Sequence, residues 1–250
     1  MAGPLFNTKA HKTSPETGLS SHAGFRVLRY SIMALGVIFS IMCAQTGTAY
    51  VAADVASDKT QAWFDGDSLP APGEIASIQQ QLETINSVLI DDAQVKLALA
   101  RLYIVRGQTD TSKIYYEAAR KVLSDVGLIQ PSHYEALALQ IFLDDFEDTF
   151  TQASHTDLVQ VLNVGPFEKA VQQLVGPVLI KRWGELPPDI HQLAEPLIKS
   201  ALRERSTKEI LFHYMQQYHT VTPFMCCSPN RETSAQLRVL EATTPNAVVQ

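Results

Sequence analysis

The amino-acid sequence predicts an all-α protein, in which a single N-terminal transmembrane helix precedes a tetratricopeptide-like stack of antiparallel helices. Three observations support this prediction. A long apolar segment lies near the N-terminus, apolar residues beyond Glu74 recur at helical spacing, and no sustained period-two run of β-branched residues occurs. The 250 residues, 46% hydrophobic and 18% charged, suffice for one globular domain with appendages.

The apolar segment covers residues 30–53, which include no charged side chain. As a helix, the stretch from Tyr30 to Tyr50 reaches roughly 31 Å at about 1.5 Å per residue, close to the thickness of a bilayer's hydrocarbon core. This length predicts one membrane crossing.

The charges on either side of this segment predict its orientation. Arg26 and Arg29 precede it, and Asp54 and Asp58 follow it. Because positive charge stays in the cytoplasm, we expect a single-pass protein of the bacterial inner membrane, with a cytoplasmic N-terminus and a periplasmic C-terminal domain.

A cleaved signal peptide is the alternative explanation of the same segment. Its most apolar core, residues 32–44, is short for a membrane span, and Val51 and Ala53 are small residues at suitable cleavage positions. The polar leader of residues 1–29 is, however, long for a signal peptide. Both alternatives export the remainder of the chain.

The composition along the chain predicts five regions. These are a disordered cytoplasmic tail (1–29), a transmembrane anchor (30–53), a linker (54–74), a helical repeat-like domain (75–227) and a disordered tail (228–250). The linker is suggested by the Asp65-Gly66 turn signal and by two prolines. The formal charge is −6, and the N-terminal tail is basic, so the folded part is more acidic still and nucleic acid is not expected as a partner.

Turn and capping signals predict where the helices begin and end. The first runs from about Ile75 to Leu89. Asp91 or Asp92 caps a second helix that stops at Gly107, Asp110 or Thr111 starts a third that ends near Gly127, and Pro131 opens a fourth. For the later helices, Gly165, Pro166 and Glu168 are predicted as N-cap, N1 and N3 of one, and Ser206 with Glu209 as the capping box of another.

Two consecutive predicted helices carry a tetratricopeptide-like pattern. Large, small, aromatic, glycine, small, aromatic and small residues follow one another at the spacing of that repeat: Leu99, Ala100, Tyr103, Gly107, Ser112, Tyr116 and Ala119. Small residues let the two helices approach closely, while aromatic residues fill the groove between pairs. A second, more degenerate unit follows, with Ala138 on its first helix and Ser154 on its second.

Motifs of the common hydrolases, metalloproteases and nucleotide-binding proteins do not occur, and no cofactor is expected. The acidic run Asp144–Asp148 lacks the spacing of a calcium loop and is predicted to be a solvated helix end. Trp183 could stack on a sugar, but its setting favours core packing. Five scattered histidines are interpreted as surface or packing residues: His133, His155, His191, His213 and His219.

The order of several residues in the C-terminal half resembles the VpsP-like family of polysaccharide-biosynthesis accessory proteins. The resemblance covers roughly residues 80–227. It rests on a Gly-Pro-aromatic-Glu element and a later tryptophan, together with flanking residues: Pro131, Tyr134, Phe150, Gly165, Pro166, Phe167, Glu168 and Trp183. It implies a bitopic membrane protein with an exported helical domain and supplies no catalytic residue.

The function that we expect from this resemblance is that of a non-enzymatic scaffold. Its partners would be proteins of the polymerase, ligase or export machinery of an extracellular polysaccharide. A general tetratricopeptide adaptor of envelope assembly is an alternative. A glycan-processing enzyme is another, with Glu168, Glu185 and the acidic run as candidate carboxylates.

Overall fold

The computed structural model describes residues 20–71 and 73–243, with side chains from residue 28 onward. The helices are α1 (Ser20–Phe64), α2 (Glu74–Val88), α3 (Ala93–Asp110), α4 (Lys113–Ile129), α5 (Tyr134–Phe146), α6 (Gln152–Val164), α7 (Lys169–Arg182), α8 (Pro188–Ala201), α9 (Arg205–Gln217) and α10 (Arg231–Thr243). A 3₁₀ helix spans Thr222–Cys227. The described residues contain no strand, so the predicted all-α class is confirmed.

The chain divides into two compact units between Ala49 and Tyr50. The first holds the apolar segment, whose side chains are exposed, as Leu35 at 67% and Phe39 at 69% illustrate. A helix long and apolar enough to cross a membrane runs from Leu28 to Phe64, with a mean hydropathy of 1.6 in its most apolar window.

The predicted limits of the disordered tail and the linker need correction. Helix α1 begins at Ser20, so the end of the predicted tail 1–29 is helical, while residues 1–19 lie outside the described residues. The predicted linker 54–74 is wrong over its first half, because α1 continues to Phe64. Ala56, Thr60 and Trp63 lie on one face of that helix and are buried against α2 and α3, which explains why the chain stays helical there.

The C-terminal tail predicted to be disordered over residues 228–250 is also partly helical. Helix α10 covers Arg231–Thr243, and its Thr233 and Leu237 are buried. Asn230 caps this helix, since its side-chain oxygen accepts a hydrogen bond from the backbone N–H of Thr233 at 2.8 Å. Residues 244–250 lie outside the described part of the chain.

Helices α3 to α10 form four successive hairpins, α3/α4, α5/α6, α7/α8 and α9/α10. In the first hairpin Thr111 and Ser112 alone join the helices, which makes them antiparallel neighbours. The first helices of the later hairpins pack on one another, α5 on α7 and α7 on α9. An ion pair between Arg101 and Glu135 connects α3 to α5.

The start of α3 is as predicted, but two other helix limits in this region differ. The Asp92 side chain accepts hydrogen bonds from the N–H groups of Gln94 and Val95, at 2.9 and 3.0 Å. Helix α3 continues past Gly107 to Asp110, and Ser112, in place of Asp110 or Thr111, is the N-cap of α4.

The predicted starts of α7 and α9 are corrected. Gly165 is the C-cap of α6, and Glu168 is the N-cap of α7, which begins at Lys169. The capping box of Ser206 and Glu209 does not form, because α9 already begins at Arg205.

Candidate functional site

A groove of about 780 Å³ runs along the first helices of the four hairpins and includes the end of α1. On α7 and α9 its residues recur at helical spacing, so a single face of each helix contributes to it. The groove is lined by Gln61, Phe64, Asp65, Asp67, Gln108, Glu135, Phe142, Lys169, Ala170, Gln173, Leu174, Ser206, Ile210 and Tyr214.

Aromatic rings form an apolar platform in this groove. The ring centroids of Phe64 and Phe142 are 5.8 Å apart at an interplanar angle of 70°. Beyond the residues that line the groove, the Phe142 ring also stacks on Phe146 at 6.0 Å, and Phe146 meets Tyr116 at 5.4 Å. Phe146 remains 48% exposed. Phe64 and Phe142 therefore offer apolar contact area to a side chain that enters the groove.

The groove carries more unpaired negative than unpaired positive charge. Glu135 is paired with Arg101, and Lys169 is paired with Glu204 at 3.2 Å. Asp65 and Asp67 form no ion pair within the described residues. Two carboxylates near the end of α1 are thus available to a cationic group.

Neutral polar side chains line the remainder of the groove. The amides of Gln108 and Gln173 can each donate and accept hydrogen bonds, as the backbone of an extended peptide requires, and the Gln61 amide donates to Asp65 at 2.8 Å while its oxygen can still accept. Burial, followed by the proximity of Tyr218 and Asp145, raises the pKa of Tyr214, so that its hydroxyl stays protonated and can donate at neutral pH. The groove thus combines apolar contact with hydrogen bonding.

The acidic run predicted to be a solvated helix end is largely an ion-pair network, so that prediction is wrong for Asp144, Asp145 and Glu147 and holds for Asp148, whose side chain is 89% exposed. Asp144 is only 7% exposed, pairs with Arg120 of α4, and accepts a hydrogen bond from the Ser154 hydroxyl at 2.6 Å. Arg120 also pairs with Glu147 at 2.9 Å. Burial opposes the charge of Arg120, but its hydrogen bonds to Asp144 and Glu147 outweigh this effect and raise the pKa of the guanidinium.

A second arginine, at the end of α7, engages the other carboxylates. Arg182 pairs with Asp145, with Asp148 at 3.0 Å and with Glu185 at 3.0 Å. Its guanidinium also lies 4.7 Å from the ring centroid of Phe150. The network therefore ties α4, α5, α6 and α7 together.

This arrangement determines what the candidate carboxylates can do. In a glycosidase one carboxyl group must carry a proton for the leaving group while a second faces the sugar. Here Glu185 and the carboxylates of the acidic run accept charged hydrogen bonds from guanidinium groups. Glu168 is separate from them, exposed at the start of α7. The geometry is that of a packing network.

The Gly-Pro-aromatic-Glu element forms the turn between α6 and α7. A methyl group on Gly165 would lie 2.8 Å from Cβ of Tyr134, so the close approach of this turn to the start of α5 requires glycine. Pro166 is half-buried in the turn, and Phe167 is 70% exposed. The element thus fixes a contact between two hairpins and leaves an aromatic ring in solvent.

Trp183 lies at the end of α7 and packs against other aromatic groups. Its ring stacks on His191 with centroids 4.0 Å apart and an interplanar angle of 11°, and it meets Phe224 edge-on at 4.6 Å. A ring nitrogen of His191 lies 2.8 Å from the carbonyl oxygen of Trp183. The tryptophan is therefore part of the contact between α7, α8 and the 3₁₀ helix.

The tetratricopeptide-like residues all lie in the first hairpin. Five of them are buried at the contact between helices, namely Leu99, Ala100, Gly107, Tyr116 and Ala119. The Tyr103 hydroxyl is 2.9 Å from a Glu83 carboxylate oxygen, and burial, then this contact, raises the pKa of the phenol. Ser112 caps α4.

The groove residues and the two arginines of the network were not identified from the sequence. The groove residues come from five helices and follow no local motif. Arg120 and Arg182 reach their carboxylates across 24 and 37 residues of sequence, a separation at which single-sequence patterns carry no pairing information. In the described residues, no group of three or more His, Cys, Asp or Glu side chains could hold a metal ion.

Comparisons of the chain with protein-family models, with curated proteins and with solved structures find no match.

Proposed function

We propose that this protein is a membrane-anchored, non-enzymatic scaffold whose groove holds an extended segment of a partner protein. The observation that carries the proposal is the groove itself, which is lined by residues of α3, α5, α7 and α9 together with the end of α1. Stacked helical hairpins commonly bind extended segments along the surface that their first helices form.

The chemistry of the groove specifies the partner segment further. An apolar side chain would lie on the rings of Phe64 and Phe142, and a lysine or arginine nearby would meet Asp65 and Asp67. The glutamine amides would bond to the backbone of the segment. A short basic and apolar stretch in extended conformation matches these features.

The membrane anchor belongs to the same proposal. The apolar helix of residues 28–64 has the length and composition of a span. The distribution of Arg26, Arg29, Asp54 and Asp58 favours a cytoplasmic N-terminus and a periplasmic helical domain in a bacterial inner membrane.

The pathway that we propose is extracellular polysaccharide biosynthesis or export. Its support is the resemblance of residues 80–227 to the VpsP-like accessory family, and the partner would then belong to the polymerase, ligase or export machinery. Deleting the gene is expected to change the amount or chain length of the surface polysaccharide. Normal polysaccharide in the deletion strain would contradict this pathway.

Complementation of the deletion strain tests the groove. Gln173→Arg places a bulky cation among the residues that line the groove, and we expect it to fail to restore the polysaccharide. Gln192→Arg makes the same change on the exposed surface of α8 and is expected to restore it fully. Equal restoration by both variants, at equal protein levels, would show that the groove is not the working surface.

A general adaptor of envelope assembly is the second candidate function, and the same groove supports it. The two candidates differ only in the partner. A groove-bound protein from another envelope machinery, with normal polysaccharide in the deletion strain, would favour the adaptor.

A glycan-processing enzyme is the third candidate, and the ion pairing of its carboxylates argues against it. Glu168→Gln, Glu185→Gln and Asp148→Asn change exposed side chains and should leave the fold intact. We expect each variant to complement the deletion. Loss of the polysaccharide in a well-folded variant would revive the enzymatic hypothesis.

A further inference from the structure

The turns that lead into the first three hairpins lie along one edge of the helical domain. These are the turns α2/α3, α4/α5 and α6/α7. The last two adjoin each other, because Gly165 approaches Tyr134 and the Gln160 amide donates to the carbonyl oxygen of Pro131 at 2.8 Å. The end of α4 lies near the start of α3, as the shared cluster of Val126, Ala93 and Ala136 demonstrates.

Each of these three turns exposes large apolar side chains to solvent. Ile90 is 64% exposed, Leu128 81%, Ile129 36%, Val164 45% and Phe167 70%. We call these five residues the apolar edge. Single exposed apolar residues are ordinary, but a recurrence in three neighbouring turns marks a surface that contacts another apolar phase.

The attachment point of the apolar segment lies near the same edge. Tyr50 directly follows that segment, and together with Ala53 and Asp54 it lines a cleft with Asp92 and Gln94 at the start of α3. The Gln81 amide of α2 also reaches the carbonyl oxygen of Ala52, at 3.4 Å.

This attachment limits how far the edge can lie from a bilayer. Tyr50 to Asp54 is about 6 Å of helix, comparable to a headgroup layer of roughly 5 to 7 Å. Ile90 is two residues from Asp92, which lines the cleft with Tyr50. Because Tyr50 is joined directly to the apolar segment, the start of α3 stays close to the bilayer surface when that segment crosses the membrane.

We infer that the apolar edge lies on the membrane surface and inserts its side chains among the lipid headgroups and upper acyl chains. This inference rests on the proposed membrane anchor. It gives the helical domain a second contact with the bilayer, which fixes the direction in which the groove faces its partner. Phe167, the exposed ring of the Gly-Pro-aromatic-Glu element, would act as an interfacial anchor.

The charges at this edge indicate which lipids it recognises. Two acidic residues, Asp91 and Glu168, and two basic residues, Lys169 and Arg203, flank the apolar residues. No cationic cluster dominates, so the contact depends on apolar insertion and does not need anionic lipid. Zwitterionic phosphatidylcholine alone should support it.

Tryptophan substitution in proteoliposomes tests the inference on the full chain. Phe167→Trp and Leu128→Trp place a reporter on the edge, and Ile114→Trp places one at an apolar site, 65% exposed, in the opposite row of turns. Each variant is reconstituted in phosphatidylcholine with and without a brominated acyl chain. The emission of the parent protein, from Trp63 and Trp183, is subtracted.

We expect brominated lipid to quench the emission added by F167W and L128W and to leave that of I114W unchanged. Equal, unquenched emission from all three inserted variants would overturn the inference and favour a protein contact. Quenching of I114W to the same extent, or quenching that requires anionic phosphatidylglycerol, would also overturn it. Failure of the chain to resist alkaline extraction from the vesicles would instead contradict the anchor, and with it the proposed function.

Discussion

Gly107 of α3 lies directly beneath the ring of Tyr116 of α4. A methyl group on Gly107 would be 2.5 Å from Cε1 of that ring and 2.8 Å from Cδ1. Tyr116 has little freedom to withdraw, because it is 7% exposed and meets Phe146 edge-on at 5.4 Å. The pair explains why the tetratricopeptide-like pattern places glycine and an aromatic residue at these two positions.

Gly107→Ala should therefore lower the free energy of unfolding. Overpacking costs about 1 to 3 kcal/mol, while alanine regains up to about 1 kcal/mol of helix propensity. Gly127→Ala in α4 is the matched control, since nothing lies within 4 Å of its added methyl group, and it should be neutral or stabilising. Urea unfolding measures the free energy of unfolding of both variants. An equal change in the two variants would contradict the close approach of Gly107 to Tyr116.

Arg182→Met should destabilise the fold by about 1 to 3 kcal/mol, because it takes the guanidinium from the largely buried Asp145 carboxylate, which then keeps only its ion pair with Lys181 at 3.0 Å. The Arg182 side chain is 10% exposed and that of Asp145 14%. Arg205→Met removes an ion pair whose arginine is 88% exposed and should leave the urea midpoint nearly unchanged. Similar urea midpoints for the two variants would refute the assignment of the network as a packing element.

Asp157→Asn should stabilise the protein at neutral pH. Burial, and then the nearby Asp144, raises the pKa of Asp157 above its ordinary value of 3.8, so its charged form is disfavoured in the folded state. The gain in the free energy of unfolding should be largest at a pH above the pKa of Asp157 in the folded state. It should shrink as the pH falls through that pKa and vanish below the pKa of Asp157 in the unfolded state. Urea unfolding of both proteins between pH 4 and 7 measures this, and a gain independent of pH would disprove the cause.

Cys226 and Cys227 should differ sharply in reactivity although they are adjacent. Burial, followed by the hydrogen bond with Cys226, raises the pKa of Cys227 to about 12, and its side chain is buried whereas Cys226 is exposed. Iodoacetamide at pH 8 should modify Cys226 and spare Cys227 in the native protein, as peptide mass spectrometry can measure. In urea the difference should disappear, and equal native labelling would contradict the burial of Cys227.

The fold class and the first hairpin could be predicted because their signals are local. The Gly107–Tyr116 pair lies within one repeat, and the Asp92 cap satisfies N–H groups two and three residues away. Helix α10 was missed despite a capping signal at Asn230, because few of its residues are apolar.

The corrected features depend on contacts between distant parts of the chain. Gly165 ends α6 and faces Tyr134, which lies thirty-one positions earlier in the sequence. From the sequence alone, the dipeptide of Gly165 and Pro166 predicted the start of a helix. The acidic run appeared to be solvated because its arginines lie on other helices. The groove likewise exists only after α3, α5, α7 and α9 have packed.

Site-specific photo-crosslinking from the groove tests the central claim most directly. A photoreactive amino acid replaces Gln173 in the groove or, as control, Gln192 on the surface of α8. We predict that the Gln173 position crosslinks to an extended basic and apolar segment of one membrane-associated protein, that Asp65→Asn with Asp67→Asn weakens this crosslink, and that Gln192 does not form it. The same crosslinks from both positions, or none from Gln173 in cells that make the polysaccharide normally, would contradict the account.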